Sequence, residues 1–127
     1  MNLLIDTHIF IWSEISVGKI KSDILAELVN SNNEIFMSLV SIWEMQIKIQ
    51  LGRLTFPKPL IDIVENQKLI NNLRILPITE EHIYHLSNLP HHHSDPFDRL
   101  IIAQSLSANL TLVSDDSIFP KYGVNLL

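Results

Sequence analysis

Six acidic residues of this chain follow short apolar runs or begin helical patterns, where carboxylates can gather around a cation. They are Asp6, Glu44, Asp95, Asp98, Asp115 and Asp116. Carboxylates that share a cleft repel one another, and hard cations such as Mg²⁺ or Mn²⁺ relieve that repulsion. A cation held in this way activates water for hydrolysis. The acids therefore indicate a metal site, provided that the fold brings them together.

Apolar runs and helical patterns alternate along the chain. The predicted strands are residues 3–5, 34–37, 74–76 and 110–113, with 124–126 as a short edge strand. This alternation predicts a parallel sheet that is covered on both faces. The expected fold is α/β, a three-layer α/β/α sandwich with a mostly parallel central sheet of four to five strands. A single domain over residues 1–127 is expected.

Helix boundaries are marked by residues with known capping preferences. Ser22, Thr79 and Asp95 are predicted N-caps, and Gly52 is predicted to end a helix over 42–51. His82 and His85 are three apart on one predicted helix and are expected at the surface.

The predicted sheet places the acids on one edge. In a parallel sheet the carboxyl ends of strands and the amino ends of the following helices meet at one rim, where open α/β sheets bind ligands. Asp6 follows the first strand directly, and Asp98 lies in the first turn of a helix. Glu44 has apolar neighbours, and an unpaired buried acid is costly. Each acid alone also suits an ordinary turn or helix cap.

Composition narrows the class of protein. Of 127 residues, 46% are hydrophobic, and 9 basic against 14 acidic residues give a net charge of −5. That charge argues against holding nucleic acid by electrostatics alone, unless bound cations offset it. With no Cys, disulfides, thiolate metal sites and Cys nucleophiles are excluded. We expect a cytoplasmic protein without a membrane segment or signal peptide, because no apolar run reaches the ~18 residues of a span.

Four segments together resemble a known family. They are Asp6-Thr7-His8, Ser38 with Glu44, the stretch from His92 to Gln104 that contains Asp-Pro-Phe-Asp-Arg and Ile-Ile-Ala-Gln, and the stretch from Leu112 to Phe119 that contains Ser114-Asp115-Asp116. The chain resembles the PIN-domain ribonucleases, and among them the VapC-type toxins of bacterial type II toxin–antitoxin pairs. The resemblance covers the whole chain and is most specific in the Asp-Pro-Phe-Asp-Arg segment.

The resemblance implies a PIN fold, a Mg²⁺- or Mn²⁺-dependent endoribonuclease activity, an RNA substrate and a cognate antitoxin. By position, Asp6, Glu44, Asp98 and Asp116 would be the catalytic, metal-binding acids. Asp116 fits the fourth place better than Asp115, because the family has one residue between the hydroxyl residue and the acid. Asp115 remains the second candidate.

Other residues are secondary candidates for the same site. Asp95 is a further acid there, and Thr7 and Ser38 carry hydroxyls that would orient a carboxylate or a water. His92, His93 and Arg99 are candidates for a loop that contacts RNA, with Arg99 alternatively pairing with an acid. The pattern His-x-His-x-Asp over 91–95 also occurs in zinc hydrolases, but those need further His ligands from other loops.

The helix predicted over 42–51 indicates a partner surface, because it is apolar around most of its circumference. A second copy in a homodimer or an antitoxin helix would cover it, unless the helix is simply core.

Two other classes of function compete with the nuclease. A receiver domain needs Asp after its third strand, where this chain has Leu76 and Pro77. A non-catalytic PIN-fold module would bind RNA or a partner without turnover.

Overall fold

The computed structural model describes residues 1–127 and contains one four-stranded sheet. All neighbouring strands are parallel, in the order β3-β2-β1-β4. The strands are β1 (Asn2–Ile5), β2 (Glu34–Ser38), β3 (Arg74–Leu76) and β4 (Thr111–Val113). The predicted α/β class and parallel sheet are confirmed.

Six α-helices flank the sheet. They are α1 (Thr7–Ile15), α2 (Ser22–Val29), α3 (Leu39–Gln50), α4 (Leu60–Asn71), α5 (Glu80–His85) and α6 (Pro96–Ala108), with short 3₁₀ turns at Val17–Lys19, Leu86–Asn88 and Phe119–Tyr122. None of these helices combines the length and the apolar character that crossing a bilayer requires.

The strands have apolar residues on both faces because helices cover both faces of the sheet. In β1, Leu3 and Ile5 join a core with Phe10 of α1 and Ile63 of α4. Leu4 points the other way, into a second core that includes residues 101–103 of α6. Burial on both faces explains why the strands read as continuous apolar runs rather than alternating ones.

The order of the strands creates a crevice beside β1. The chain passes from β1 to β2 and β3 on one side, and then returns to place β4 on the other side. Ligands of open α/β sheets bind at such a reversal, outside the carboxyl ends of the strands. Asp6 directly follows β1, and Ser114 directly follows β4, so the crevice lies between the segments that carry these residues.

Several local predictions need correction. Residues 124–126 form a single parallel bridge between Leu126 and Leu112 rather than a strand. Ser22 is the first residue of α2 rather than its cap, and no side chain caps that helix. His82 is buried rather than exposed, because its ring packs against α6, with Nδ1 3.4 Å from Nε2 of Gln104; the same Nδ1 accepts the backbone N–H of Thr79 in a capping box. The helix predicted over 42–51 begins earlier, at Leu39. The prediction that Gly52 ends it is confirmed, since Gly52 has a φ of +72°, the left-handed conformation that suits glycine after a helix.

Candidate metal centre

Asp6 is held rigidly at the carboxyl end of β1. It is the N-cap of α1, and its Oδ1 accepts the backbone N–H of Ile9 at 2.8 Å. Its Oδ2 accepts the hydroxyl of Ser114 at 2.6 Å. Because only 3% of Asp6 is exposed, burial raises the pKa of this carboxyl, although the two hydrogen bonds and the charge of His8 oppose the rise. Asp6 therefore lies in the crevice between β1 and β4 with a fixed orientation.

Glu44 is a buried acid on α3 with donors at both oxygens. The hydroxyl of Thr7 donates to Oε1 at 2.7 Å, and the ammonium of Lys48 lies 2.8 Å from Oε2. Thr7 is also 2.9 Å from the hydroxyl of Ser41. These contacts explain how an acid that is only 4% exposed is tolerated within an apolar helix.

Asp98 and Asp116 share a neighbour, the imidazole of His93. Nε2 of His93 lies 3.0 Å from Oδ2 of Asp98 and 3.6 Å from Oδ2 of Asp116. One ligand atom from each of these three residues lies within 4.8 Å of the others, close enough for one metal ion. Asp116 is held by its Oδ1, which accepts the backbone N–H of Ile118 at 2.9 Å. One acid from α6 and one from the segment after β4 thus meet at the crevice.

The electrostatics of Asp98 link the whole group. Burial raises the pKa of Asp98 to about 7, and the charges of nearby acids add to the rise. In decreasing order, these acids are Asp95, Glu44, Asp6 and Asp116. A carboxyl that resists ionisation among other carboxylates marks a place where positive charge is favoured. The oxygen-rich set therefore fits a hard divalent cation.

The two adjacent acids after β4 lie in different surroundings. Asp115 forms an ion pair with Lys21 at 3.1 Å, and both side chains are exposed, by 40% and 68% respectively. Asp116 instead faces Asp98 and His93. The structure therefore brings Asp116 to the other acids and leaves Asp115 outside. Asp95 is the N-cap of α6, as predicted, and accepts the N–H groups of Phe97 and Asp98.

Arg99 does not reach the cleft as a free substrate-binding group, and it pairs with no acid. Its guanidinium is buried and donates to the carbonyls of Pro90 at 2.8 Å and Leu89 at 3.5 Å. It also lies 3.4 Å from the hydroxyl of Tyr122. This environment favours a positioning role, since Arg99 anchors the loop that leads to His92 and His93. His92 is exposed and contacts the ring of Tyr122 edge-on.

Replacing Arg99 by Met is expected to lower the free energy of unfolding by about 2–3 kcal/mol, because the carbonyls of Leu89 and Pro90 would lose a charged donor. Urea denaturation measures this change. Arg74→Met is the matched control, since Arg74 is exposed and pairs with Glu34 only at 3.5 Å; that change should stay within about 0.5 kcal/mol. Equal losses in the two variants would contradict the anchoring role.

Other predicted and unpredicted residues also support the site. Ser38 is fully buried and caps α3 by accepting the N–H of Val40; its hydroxyl thus orients the helix rather than an acid. Lys48, which the motifs did not single out, pairs with Glu44. The four-residue spacing of these two on one helix was a usable signal. The Ser114-Asp115-Asp116 motif pointed to Ser114, but no local pattern indicated that its hydroxyl would contact Asp6 or that Ser41 would contact Thr7.

Comparisons with known proteins place this chain in a family. The family model of the PIN domain matches residues 3–125. No curated protein gives a significant match to the chain. Among solved structures, VapBC2 from Rickettsia felis, bound to a promoter DNA fragment, is 18% identical with a TM-score of 0.72, over 100% of this chain and 98% of that chain.

Two further solved structures are similar over nearly the same extent. DNA-bound VapBC from Salmonella typhimurium is 16% identical with a TM-score of 0.72, over 100% of this chain and 97% of that one. VapBC-5 from Mycobacterium tuberculosis, a member of the VapBC family of toxin-antitoxin systems, is 14% identical with a TM-score of 0.63, over 99% of this chain and 97% of that one. At these identities the likeness establishes a shared fold.

Proposed function

The chain belongs to the PIN domain family, and from that premise we propose that it is a metal-dependent endoribonuclease and the toxin of a toxin–antitoxin pair. The observation that carries this proposal is the meeting of acids beside β1 and β4, where burial and acidic neighbours raise the pKa of Asp98 to about 7. Mg²⁺ or Mn²⁺ would relieve this repulsion through oxygen ligands.

Asp6, Asp98 and Asp116 are the residues that we expect to hold the cation. When bound, such a cation lowers the pKa of a water and balances charge on the scissile phosphate. Glu44 would support the site without contacting the cation directly, because Thr7 and Lys48 already contact its two oxygens. Ser114 would keep the Asp6 carboxylate in one orientation through their 2.6 Å hydrogen bond.

RNA is the proposed substrate because the motifs resemble those of PIN-domain ribonucleases. Hydrolysis by in-line attack, with the 3′ oxygen as leaving group, would leave 5′-phosphate and 3′-hydroxyl ends. Among the four proposed catalytic acids, only Glu44 forms an ion pair with a Lys or Arg, and that partner is Lys48. With so few cations at the site, we expect RNA binding to be modest and sensitive to salt.

An antitoxin is the proposed protein partner. A groove of about 840 Å³ runs between α1, α2 and α4 and has many apolar residues in its walls. Val29 and Ile70 lie in this groove and are 75% and 66% exposed. The similar structures include VapBC assemblies, so we propose that the groove receives an apolar helix of an antitoxin.

A homodimer is proposed from the exposed apolar residues of α3. Trp43 is 61% exposed and packs edge-on against Phe97 at a ring-centroid distance of 5.3 Å. Trp43→Glu is expected to weaken self-association at least tenfold, because it places a charge in a desolvated contact. Light scattering over a range of concentrations tests this, with Val29→Glu on α2 as the control. A wild-type protein that stays monomeric at high concentration would refute the homodimer.

The nuclease proposal is tested by incubating the purified chain with tRNA, rRNA, single-stranded RNA and single-stranded DNA. Parallel samples contain Mg²⁺, Mn²⁺ or EDTA. We expect RNA cutting that either metal supports and that EDTA abolishes. Cutting of DNA alone would contradict the substrate assignment.

A non-catalytic module is the alternative outcome of the same experiment. If no substrate is cut and calorimetry detects no binding of Mn²⁺, the acids serve no metal and the nuclease proposal fails. The PIN fold would then bind RNA or a protein partner without turnover.

A further inference from the structure

The imidazole of His93 has both of its nitrogens engaged at the candidate metal centre. Its Nδ1 lies 3.0 Å from the backbone nitrogen of Asp95, whose N–H points at it. Its Nε2 lies 3.0 Å from Oδ2 of Asp98 and 3.6 Å from Oδ2 of Asp116. Only 19% of the His93 side chain is exposed, so the ring lies within the cleft rather than at its edge.

These contacts determine where the proton of the ring resides. A backbone N–H is always a donor, so Nδ1 of His93 must accept and carries no proton. The proton of the neutral ring is therefore on Nε2, the nitrogen that faces the carboxylates of Asp98 and Asp116. An Nε2–H group has no lone pair to give to a cation, which excludes this arrangement as a ligand geometry.

The proton on Nε2 and a cation would need the same space. A Mg²⁺ ion ligated by two carboxylate oxygens lies about 2.1 Å from each of them. A proton about 1 Å from Nε2, along the 3.0 Å contact with Asp98, lies about 2 Å from that oxygen. The N–H group thus supplies a partial positive charge at a position suited to the full charge of a cation.

Resting on the nuclease proposal, we propose that His93 competes with the divalent cation for the oxygens of Asp98 and Asp116. The ring holds the acids together in the metal-free protein and leaves the cleft when the cation enters. His93 is thus a positioning residue of the metal-free site and not a metal ligand.

The surroundings of His93 allow the ring to leave without unfolding its loop. Arg99 anchors the start of the loop through the carbonyls of Leu89 and Pro90, and Asp95 caps α6 at its end. Between these fixed points, His93 leaves by a change of side-chain rotamer that releases the Asp95 N–H to water. Only the fraction of the protein whose cleft is open then binds the cation. The observed affinity equals the intrinsic affinity multiplied by that fraction.

The test measures Mn²⁺ affinity of the full chain by calorimetry at one fixed pH of about 8, where carboxyl groups are ionised, for the wild type, His93→Ala and His92→Ala. Removing the competitor is expected to tighten Mn²⁺ binding by on the order of tenfold, because the oxygens lose a charge-assisted hydrogen bond. His92 is the matched control on the same loop, since its ring contacts Tyr122; its removal should change affinity by less than about twofold.

Nitrogen-15 NMR of the wild type with Mg²⁺ gives a second measurement that requires no variant. We expect Nε2 of His93 to keep its proton and to exchange it rapidly with water once Mg²⁺ binds. A switch of the proton to Nδ1 would show ligation through Nε2 and overturn the proposal, and so would a slowly exchanging Nε2–H in the Mg²⁺-bound protein.

The affinities separate this inference from the proposed function. Weaker or unchanged Mn²⁺ binding by His93→Ala overturns the competition, while the nuclease proposal stands. If neither the wild type nor His93→Ala binds Mn²⁺, both proposals fail together.

Discussion

Asp98→Asn is expected to reduce the rate of RNA cleavage by on the order of a thousandfold, and Asp6→Asn by a similar factor. Each substitution removes the negative charge of an expected ligand and keeps the size of the side chain, so the lost rate reports lost electrostatic stabilisation of about 4 kcal/mol. The measurement is the cleavage rate at saturating Mg²⁺ on an RNA that the wild type cuts.

The pair Asp115 and Asp116 provides an internal control for this result. Asp116→Asn should reduce the rate by at least about a hundredfold, because Asp116 faces Asp98 and His93. Asp115→Asn should leave the rate within about twofold, since Asp115 pairs with Lys21 in solvent. Cleavage that survives both Asp6→Asn and Asp98→Asn would refute the assignment of the site. A larger loss at Asp115 than at Asp116 would transfer the fourth acid to Asp115.

The second large effect is a dependence of metal affinity on pH. Burial and the neighbouring acids raise the pKa of Asp98 to about 7, and a cation must displace the proton that Asp98 then carries. Below pH 7 the affinity for Mg²⁺ or Mn²⁺ should therefore fall about tenfold for each pH unit. Calorimetry between about pH 5 and pH 8 measures this slope. A flat affinity over that interval would show that Asp98 is ionised without the metal.

The same ionisation sets how the stability of the metal-free protein changes with pH. The pKa of Asp98 is about 7 in the folded state, against an ordinary value of 3.8 in an unfolded chain. Between these two pH values the folded state binds more protons at Asp98 than the unfolded state does. The contribution of Asp98 to the free energy of unfolding is therefore most favourable below about pH 4 and is lost as the pH rises to about 7. Buried Asp6, whose pKa is also raised, contributes with the same sign.

Asp98→Asn isolates the contribution of this group to stability. In the presence of EDTA the variant should lose less stability than the wild type between about pH 5 and pH 8. The difference in lost stability should be on the order of 2 kcal/mol. It is smaller than the full pKa shift would give, because water reaches part of the Asp98 carboxyl and screens its interactions. Parallel pH profiles in urea denaturation would contradict the raised pKa.

Much of the fold followed from local patterns of residues. Apolar runs bounded by polar turns predicted four strands, and alternation with helices predicted a parallel sheet covered on both faces; the sheet order β3-β2-β1-β4 agrees. Thr79 and Asp95 cap α5 and α6 as predicted. These features depend on neighbours a few residues apart, so the sequence carries them directly. The segment 124–126 lacked such support, because its pairing depends on one distant contact with β4.

Sequence motifs identified the acids, but tertiary structure decided which of them meet. The residues Asp115 and Asp116 are adjacent and chemically alike. Only the path of the chain after β4 gives Asp115 the neighbour Lys21 and brings Asp116 to His93 and Asp98. Ser114 reaches Asp6 across 108 positions. Arg99 turned out to be a buried anchor, and the proton on Nε2 of His93 follows from one backbone contact. Such contacts arise from packing between distant segments, which residue spacing within one element does not encode.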